Sequence, residues 1–205
     1  MVAAMAFSGG ALAADTGVSG SGSFKPPAVN TALPANSPFS AQDLASGVVA
    51  FAIRWDDTAP DRDPNPYRGL YAGSIRQFSI RIGTTEIALP VDNAFIEVSD
   101  GGDVSSREFI KLQASQKFGA YTLIAGWMSL NEIVKTGDLR GAAGRLAGDA
   151  QPNGGSLTAF QPAGRFDRSF FVTLRADADP RDFPIYLQTS AVEIRPAAAT
   201  SGAAR

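Results

Sequence analysis

The chain has 205 residues, and its 18 basic and 20 acidic side chains leave a formal net charge of −2, a balance that argues against binding a polyanion. Cysteine and histidine are both absent, which excludes thiol nucleophiles, disulfides, Cys/His zinc sites and every Ser-His-Asp or Cys-His mechanism. At 44% hydrophobic and 19% charged the composition is globular, and 21 Gly with 13 Pro favour many turns over the long helices of a bundle.

Residues 1–13 carry no charge and close on Ala11-Leu12-Ala13, an A-x-A cleavage pattern that predicts a secretory signal and export. The basic n-region is missing and Ser8-Gly9-Gly10 interrupts the apolar run, so an Ala/Gly-rich disordered leader is the alternative. No stretch approaches the roughly 18 consecutive apolar residues of a membrane-spanning helix. Residues 14–45 are dominated by Gly, Ser, Pro, Ala and Asn, with Phe24 and Phe39 as the aromatics, and they read as a flexible arm or linker outside the core. The folded domain is expected over 46–196, followed by a disordered Ala-rich tail at 197–205.

From Gly47 the pattern alternates. Val49, Phe51, Ile53 and Trp55 share one face of a predicted strand. Phe78, Ile80 and Ile82 alternate strictly with polar residues, and Gly83-Thr84 then separates them from Glu86-Ile87-Ala88-Leu89, which predicts a tight hairpin. Further strands are expected at 94–98, 109–113, 121–128, 169–175 and 185–195, with helix as the second choice for 128–134. Eight to ten strands separated by Gly, Asp and Pro turns predict an all-β fold, an antiparallel two-sheet sandwich or jelly roll. Strand-helix alternation is lacking, which disfavours a parallel α/β fold. Residues 139–166, with glycines at 141, 144, 148, 154, 155 and 164, read as a long mobile loop with at most one short element.

The most distinctive segment runs from Trp55 to Ile75. Asp56, Asp57, Asp61, Asp63 and Asn65 place five oxygen-bearing side chains within ten positions. A hard cation such as Ca²⁺ takes about six to eight oxygens, and Asp61-x-Asp63-x-Asn65 copies the opening of a calcium loop. Pro66 stands where an EF-hand needs Gly and Ala72 where it needs a bidentate Glu, so an EF-hand is rejected and two readings stay open. In the first, Asp and Asn before Pro are turn formers stiffening an exposed connection, with Arg62 and Arg68 neutralising part of the acid. In the second, the five side chains hold Ca²⁺, while Trp55, Tyr67 and Tyr71 provide a stacking surface for a saccharide.

The same segment, with Trp55, Asp56, Ala59, Pro60, Asp61, Gly69, Tyr71, Gly73, Ile75, Phe78, Ile80, Ile82 and Gly83 as the matching residues, resembles the opening of exported bacterial proteins of the PEP-CTERM-sorted type. The resemblance covers about 47–98. The Pro-Glu-Pro, apolar helix and basic cluster of that type have no counterpart in Pro196 to Arg205. What the resemblance implies is therefore an exported β-domain of the cell surface or extracellular matrix, without the sorting step and without catalytic residues to carry over.

Without His or Cys, the chemistry still open is a carboxylate pair of the glycosidase kind. Glu86 and Glu97 fall on neighbouring predicted strands, but alternation sets them opposite Ile87 and Ile96, where solvated residues of a half-buried sheet belong. No Ser-x-x-Lys, no Gly-x-Gly-x-x-Gly after a strand and no Gly-x-x-x-x-Gly-Lys occurs, so neither a Ser-Lys nucleophile nor nucleotide binding is supported. The expected function is that of an exported, non-enzymatic surface or matrix protein whose partners are envelope proteins, polysaccharides or copies of itself. A calcium-stabilised carbohydrate-binding module is the alternative, and a carboxylate glycoside hydrolase ranks third.

Overall fold

The computed structural model describes residues 15–27, 33–99, 107–132, 151, 169–189 and 192–196. The predicted leader, the 139–166 loop apart from Gln151, and the predicted tail lie outside them. Among the described residues the chain forms strands β1 Asp15–Ser23, β2 Val48–Asp56, β3 Arg68–Ala72, β4 Ile75–Ile82, β5 Thr85–Ala88, β6 Phe95–Ser99, β7 Arg107–Phe118, β8 Tyr121–Glu132, β9 Ser169–Ala176, β10 Ile185–Gln188 and β11 Val192–Pro196, with one short helix, α1 Ala41–Ala45.

These make two packed antiparallel sheets, a β-sandwich. The five-stranded sheet has the order β11-β1-β2-β4-β5 and the six-stranded sheet β10-β9-β8-β7-β6-β3. Five consecutive strands, β6 to β10, are hydrogen-bonded neighbours, and β3 adds the far edge beyond β6. Alternation accounts for the faces, since successive side chains of a strand point to opposite sides. Val49, Phe51, Ile53 and Trp55 are buried from one sheet and Leu123, Ala125, Trp127, Phe170, Val172 and Leu174 from the other. The rings of Phe51 and Phe170 stack across the intersheet space with centroids 4.2 Å apart and planes at 4°. Such a pair contributes about 0.5–1.5 kcal/mol beyond the area it buries.

The hairpin expected around Gly83-Thr84 is present as β4 and β5, with Ile80 opposite Ile87 and Ile82 opposite Thr85. Gly83 takes the left-handed φ of +57° that the turn requires. Residues 128–132, where helix was the second choice, continue β8 as strand.

Two expectations need correction. The described residues of the predicted 14–45 arm, 15–27 and 33–45, are not outside the core. β1 lies between β11 and β2, pairing with β2 from Asp15 opposite Asp56 to Ser23 opposite Val48, and Val18, Phe24, Phe39 and Leu44 are buried. A Gly/Ser strand is permissible there because its neighbours supply the bulk: Gly20 stands opposite Phe51 and Gly22 opposite Val49. Opposed residues of an antiparallel pair share a face, so large side chains of β2 fill the space that the glycines leave. The folded unit therefore includes residues 15–27 and 33–45, upstream of the boundary expected at 46. Secondly, residues 68–72 are not part of a loop but form β3, pairing with β6 from Arg68 opposite Ser99 to Ala72 opposite Phe95.

Within β8, Gly126 is required by close approach. A Cβ there would stand 2.7 Å from the Leu112 carbonyl oxygen and 2.6 Å from Cζ of Phe171, whose ring lies across the outer face of the sheet. We expect Gly126→Ala to cost roughly 1–3 kcal/mol by overpacking against a backbone atom that cannot yield. Urea titration followed by circular dichroism measures it, and unchanged stability would show that β7 and β8 separate without penalty.

Candidate functional site

The acidic segment connects β2 in one sheet to β3 in the other. Its carboxylates bend back onto the loop itself. Oδ1 of Asp61 accepts from the Asp63 amide at 2.9 Å and the Leu70 amide at 2.8 Å. Oδ1 of Asp63 accepts from the Asn65 amide at 3.0 Å, and Oδ1 of Asn65 from the Tyr67 amide at 3.0 Å. This is a run of Asx turns, in which each side chain replaces a backbone acceptor two residues on. The alternating spacing that resembles a calcium loop is thus also the spacing that Asx turns need.

The remaining acids serve the ends of the segment. Oδ1 of Asp56 accepts from the Thr58 hydroxyl at 2.6 Å and the Thr58 amide at 2.9 Å, and its Oδ2 accepts from Arg76 at 2.8 Å. The Thr58 hydroxyl first, then the Thr58 amide and the Arg76 guanidinium, hold the Asp56 carboxyl down at about 2. Asp57 accepts from the Thr16 hydroxyl at 2.8 Å, tying the loop to the first strand, and Gln151 donates to the Asp56 carbonyl at 2.8 Å. The five predicted ligands therefore orient toward amides, hydroxyls and a guanidinium. No group of three acidic side chains among the described residues is close enough together to hold a metal ion.

Two of the three aromatic residues predicted to stack on a saccharide are core residues. Trp55 is fully buried and Tyr71 is 4% exposed, because both belong to strands and point into the intersheet space. Tyr67 is half-buried in the loop. This corrects the expected platform: alternation in β2 already put Trp55 with Phe51 and Ile53, and the unrecognised strand β3 does the same for Tyr71.

The glutamate pair also separates. Glu86 is exposed on β5, the edge of the five-stranded sheet, whereas Glu97 lies on β6 in the six-stranded sheet. They are not on neighbouring strands, since the chain crosses between sheets after β5. Glu97 receives Arg68 at 3.0 Å and Lys111 at 3.5 Å from the flanking strands. These are cross-strand ion pairs on an outer face, the expected place for solvated carboxylates.

A different surface emerges at the opposite edge of the six-stranded sheet. Among the described residues the large apolar side chains that remain exposed are Val48, Phe183 and Tyr186, at 49%, 46% and 61%. Phe183 and Tyr186 meet edge to face with centroids 6.4 Å apart. Sequence reasoning used Ile185 and Leu187 as the buried face of this strand, and the same alternation puts Tyr186 on the outer face. Its neighbour Phe183, between Asp182 and Pro184, gives the second aromatic within four positions.

Comparisons with family models, with curated proteins and with solved structures found no match to the chain. The class that fold and surface define is a two-sheet antiparallel β-sandwich with an exposed aromatic edge.

Proposed function

We propose that this protein is an exported, non-enzymatic interaction module of the cell surface or extracellular matrix. The observation that carries this reading is the contrast between its two kinds of residue. Glu86 and Glu97 lie on different sheets and the acidic segment is engaged in Asx turns and ion pairs, whereas two of the three exposed large apolar side chains among the described residues, Phe183 and Tyr186, meet at the β10 edge. Exposed aromatics on a rigid sheet are characteristic of contact surfaces. The A-x-A pattern at 11–13 and the resemblance over 47–98 support export and an envelope setting. Expression with residues 1–14 intact, followed by cell fractionation and cosedimentation with insoluble envelope and matrix material, tests it. The protein is expected outside the cytoplasm and in the matrix pellet. Cytoplasmic retention, or glycosidic hydrolysis abolished by Glu97→Gln, would overturn the reading.

A further inference from the structure

We infer that the Phe183–Tyr186 edge is a binding site for neutral pyranose chains, in which the two rings stack on sugar faces. The inference rests on the interaction-module reading and names the ligand class of its surface. Sugars whose ring substituents are all equatorial present a flat face of axial C–H groups. Such a face packs on an aromatic ring, while the equatorial hydroxyls at its rim need hydrogen-bonding partners.

Both halves of that requirement are present. Tyr186 is 61% exposed and Phe183 46%, and their planes meet at 63°, so the rings form a shallow angled platform instead of one flat patch. Polar groups surround it. The Tyr186 hydroxyl donates to Oε1 of Gln188 at 3.0 Å, and both residues are exposed. Arg181 and Asp179 pair at 3.4 Å with side chains 90% and 52% exposed. A carboxylate and a guanidinium together accept from and donate to adjacent hydroxyls.

The platform is held in place before any ligand arrives. Asp182 donates its amide to the Asp179 carbonyl at 3.0 Å and its own carbonyl accepts from Ala176 at 2.9 Å, and Asp179 accepts from the Arg181 amide at 2.9 Å. Pro180 and Pro184 fix φ on either side. Preorganisation of this kind reduces the ordering cost of binding.

Size and charge select the occupant. The two half-exposed rings offer on the order of 200 Å², far below the roughly 800 Å² per partner of a stable protein interface. β10 is four residues long and begins immediately after Pro184, a short edge poorly suited to accepting an added strand. The charged residues that precede the rings in the chain, Asp179, Arg181 and Asp182, mix both signs, which suits an uncharged polyhydroxylated chain better than an anionic one.

The test is an amide-resonance titration of the intact protein with the β-1,4-linked glucose hexasaccharide, together with Tyr186→Ala, Phe183→Ala and Val48→Ala variants and size-exclusion chromatography across protein concentrations. Shifts confined to residues 177–189 are expected, with affinity weakened about tenfold by each aromatic substitution and unchanged by Val48→Ala on the other sheet. The absence of shifts at millimolar hexasaccharide, or shifts elsewhere that Tyr186→Ala leaves intact, overturns the site. Concentration-dependent dimers abolished by Tyr186→Ala assign the edge to a second copy and likewise overturn it. Matrix cosedimentation that survives Tyr186→Ala while the sugar produces no shift rejects this site but keeps the interaction-module reading. Loss of both rejects both.

Discussion

A chain lacking residues 15–23 is expected not to fold as a monomer. β1 is the strand between β11 and β2, so its removal strips ladder partners from both and leaves β11 without a sheet. Each ladder hydrogen bond contributes only about 1 kcal/mol net. Summed along a strand paired on both sides, with the burial of Val18 added, the loss reaches the order of the entire 5–15 kcal/mol by which domains are stable. Far-ultraviolet circular dichroism and size exclusion measure this directly: broadened, aggregated or dimeric material without a cooperative melt is the expected result. A synthetic peptide of residues 15–23 added during refolding should restore part of the monomer, since the gap it fills is defined by backbone pairing. If the truncated chain were a monodisperse monomer with the original melting temperature, β1 would be the dispensable arm that its composition suggests.

Asp43→Ala is expected to destabilise by on the order of 3 kcal/mol, the combined cost of the lost helix cap and of several charge-assisted hydrogen bonds to one carboxylate. Asp43 is 5% exposed and lies at the N3 position of α1, where it completes a capping box with Ser40. Its Oδ2 accepts from the Ser40 hydroxyl at 2.6 Å, the Thr85 hydroxyl at 2.9 Å and the Ser40 amide at 3.0 Å, and its Oδ1 accepts from the Thr84 amide at 3.0 Å. One carboxylate thus locks the helix cap to the tip of the β4–β5 hairpin. The Ser40 hydroxyl bond, against the opposing effect of burial, and then the Ser40 amide, Thr85 and Thr84, hold its pKa well below the usual carboxylate range.

The pH consequence follows from that direction. A depressed folded-state pKa means that the unfolded chain binds more protons once the pH falls below about 4, the unfolded value for Asp. The stabilisation is therefore complete above that pH and drains away as acid carries the solution toward the folded pKa. Asp56 at about 2, and Asp177, lowered chiefly by Lys117 and then Thr122, act in the same sense. Stability curves between pH 2 and 7 should slope downward below about pH 4 for the parent chain. Asp43→Asn should have a shallower slope, because its amide keeps one acceptor but cannot titrate. Parallel slopes for parent and Asp43→Asn would remove Asp43 from the acid response.

Much of the framework was legible by simple periodicity. Phe78-Ser79-Ile80-Arg81-Ile82 and Gly83-Thr84 specify a strand and a turn from local rules alone, and the structure has both. The Ser40-x-x-Asp43 spacing is a capping-box signature that could have placed α1, and with it the buried Leu44. β1 was not legible, because Gly and Ser carry no hydrophobic period. What makes residues 15–23 a strand is the pair of backbone edges offered by β2 and β11, the second of which is more than 160 residues away in the chain.

Composition and alternation by themselves determined that this chain is an all-β, half-buried framework without thiol or imidazole chemistry, because residue absence and period 2 require no knowledge of neighbours. Only the tertiary structure decided what the acidic and aromatic residues do. The spacing Asp61-x-Asp63-x-Asn65 suits either metal ligation or Asx turns, and it is the fold that shows Oδ1 of each side chain accepting from the amide two residues on. Likewise, an aromatic side chain in a sequence is neither core nor surface until a second sheet covers one face of its strand. That packing buries Trp55 and Tyr71 and leaves Phe183 and Tyr186 in water.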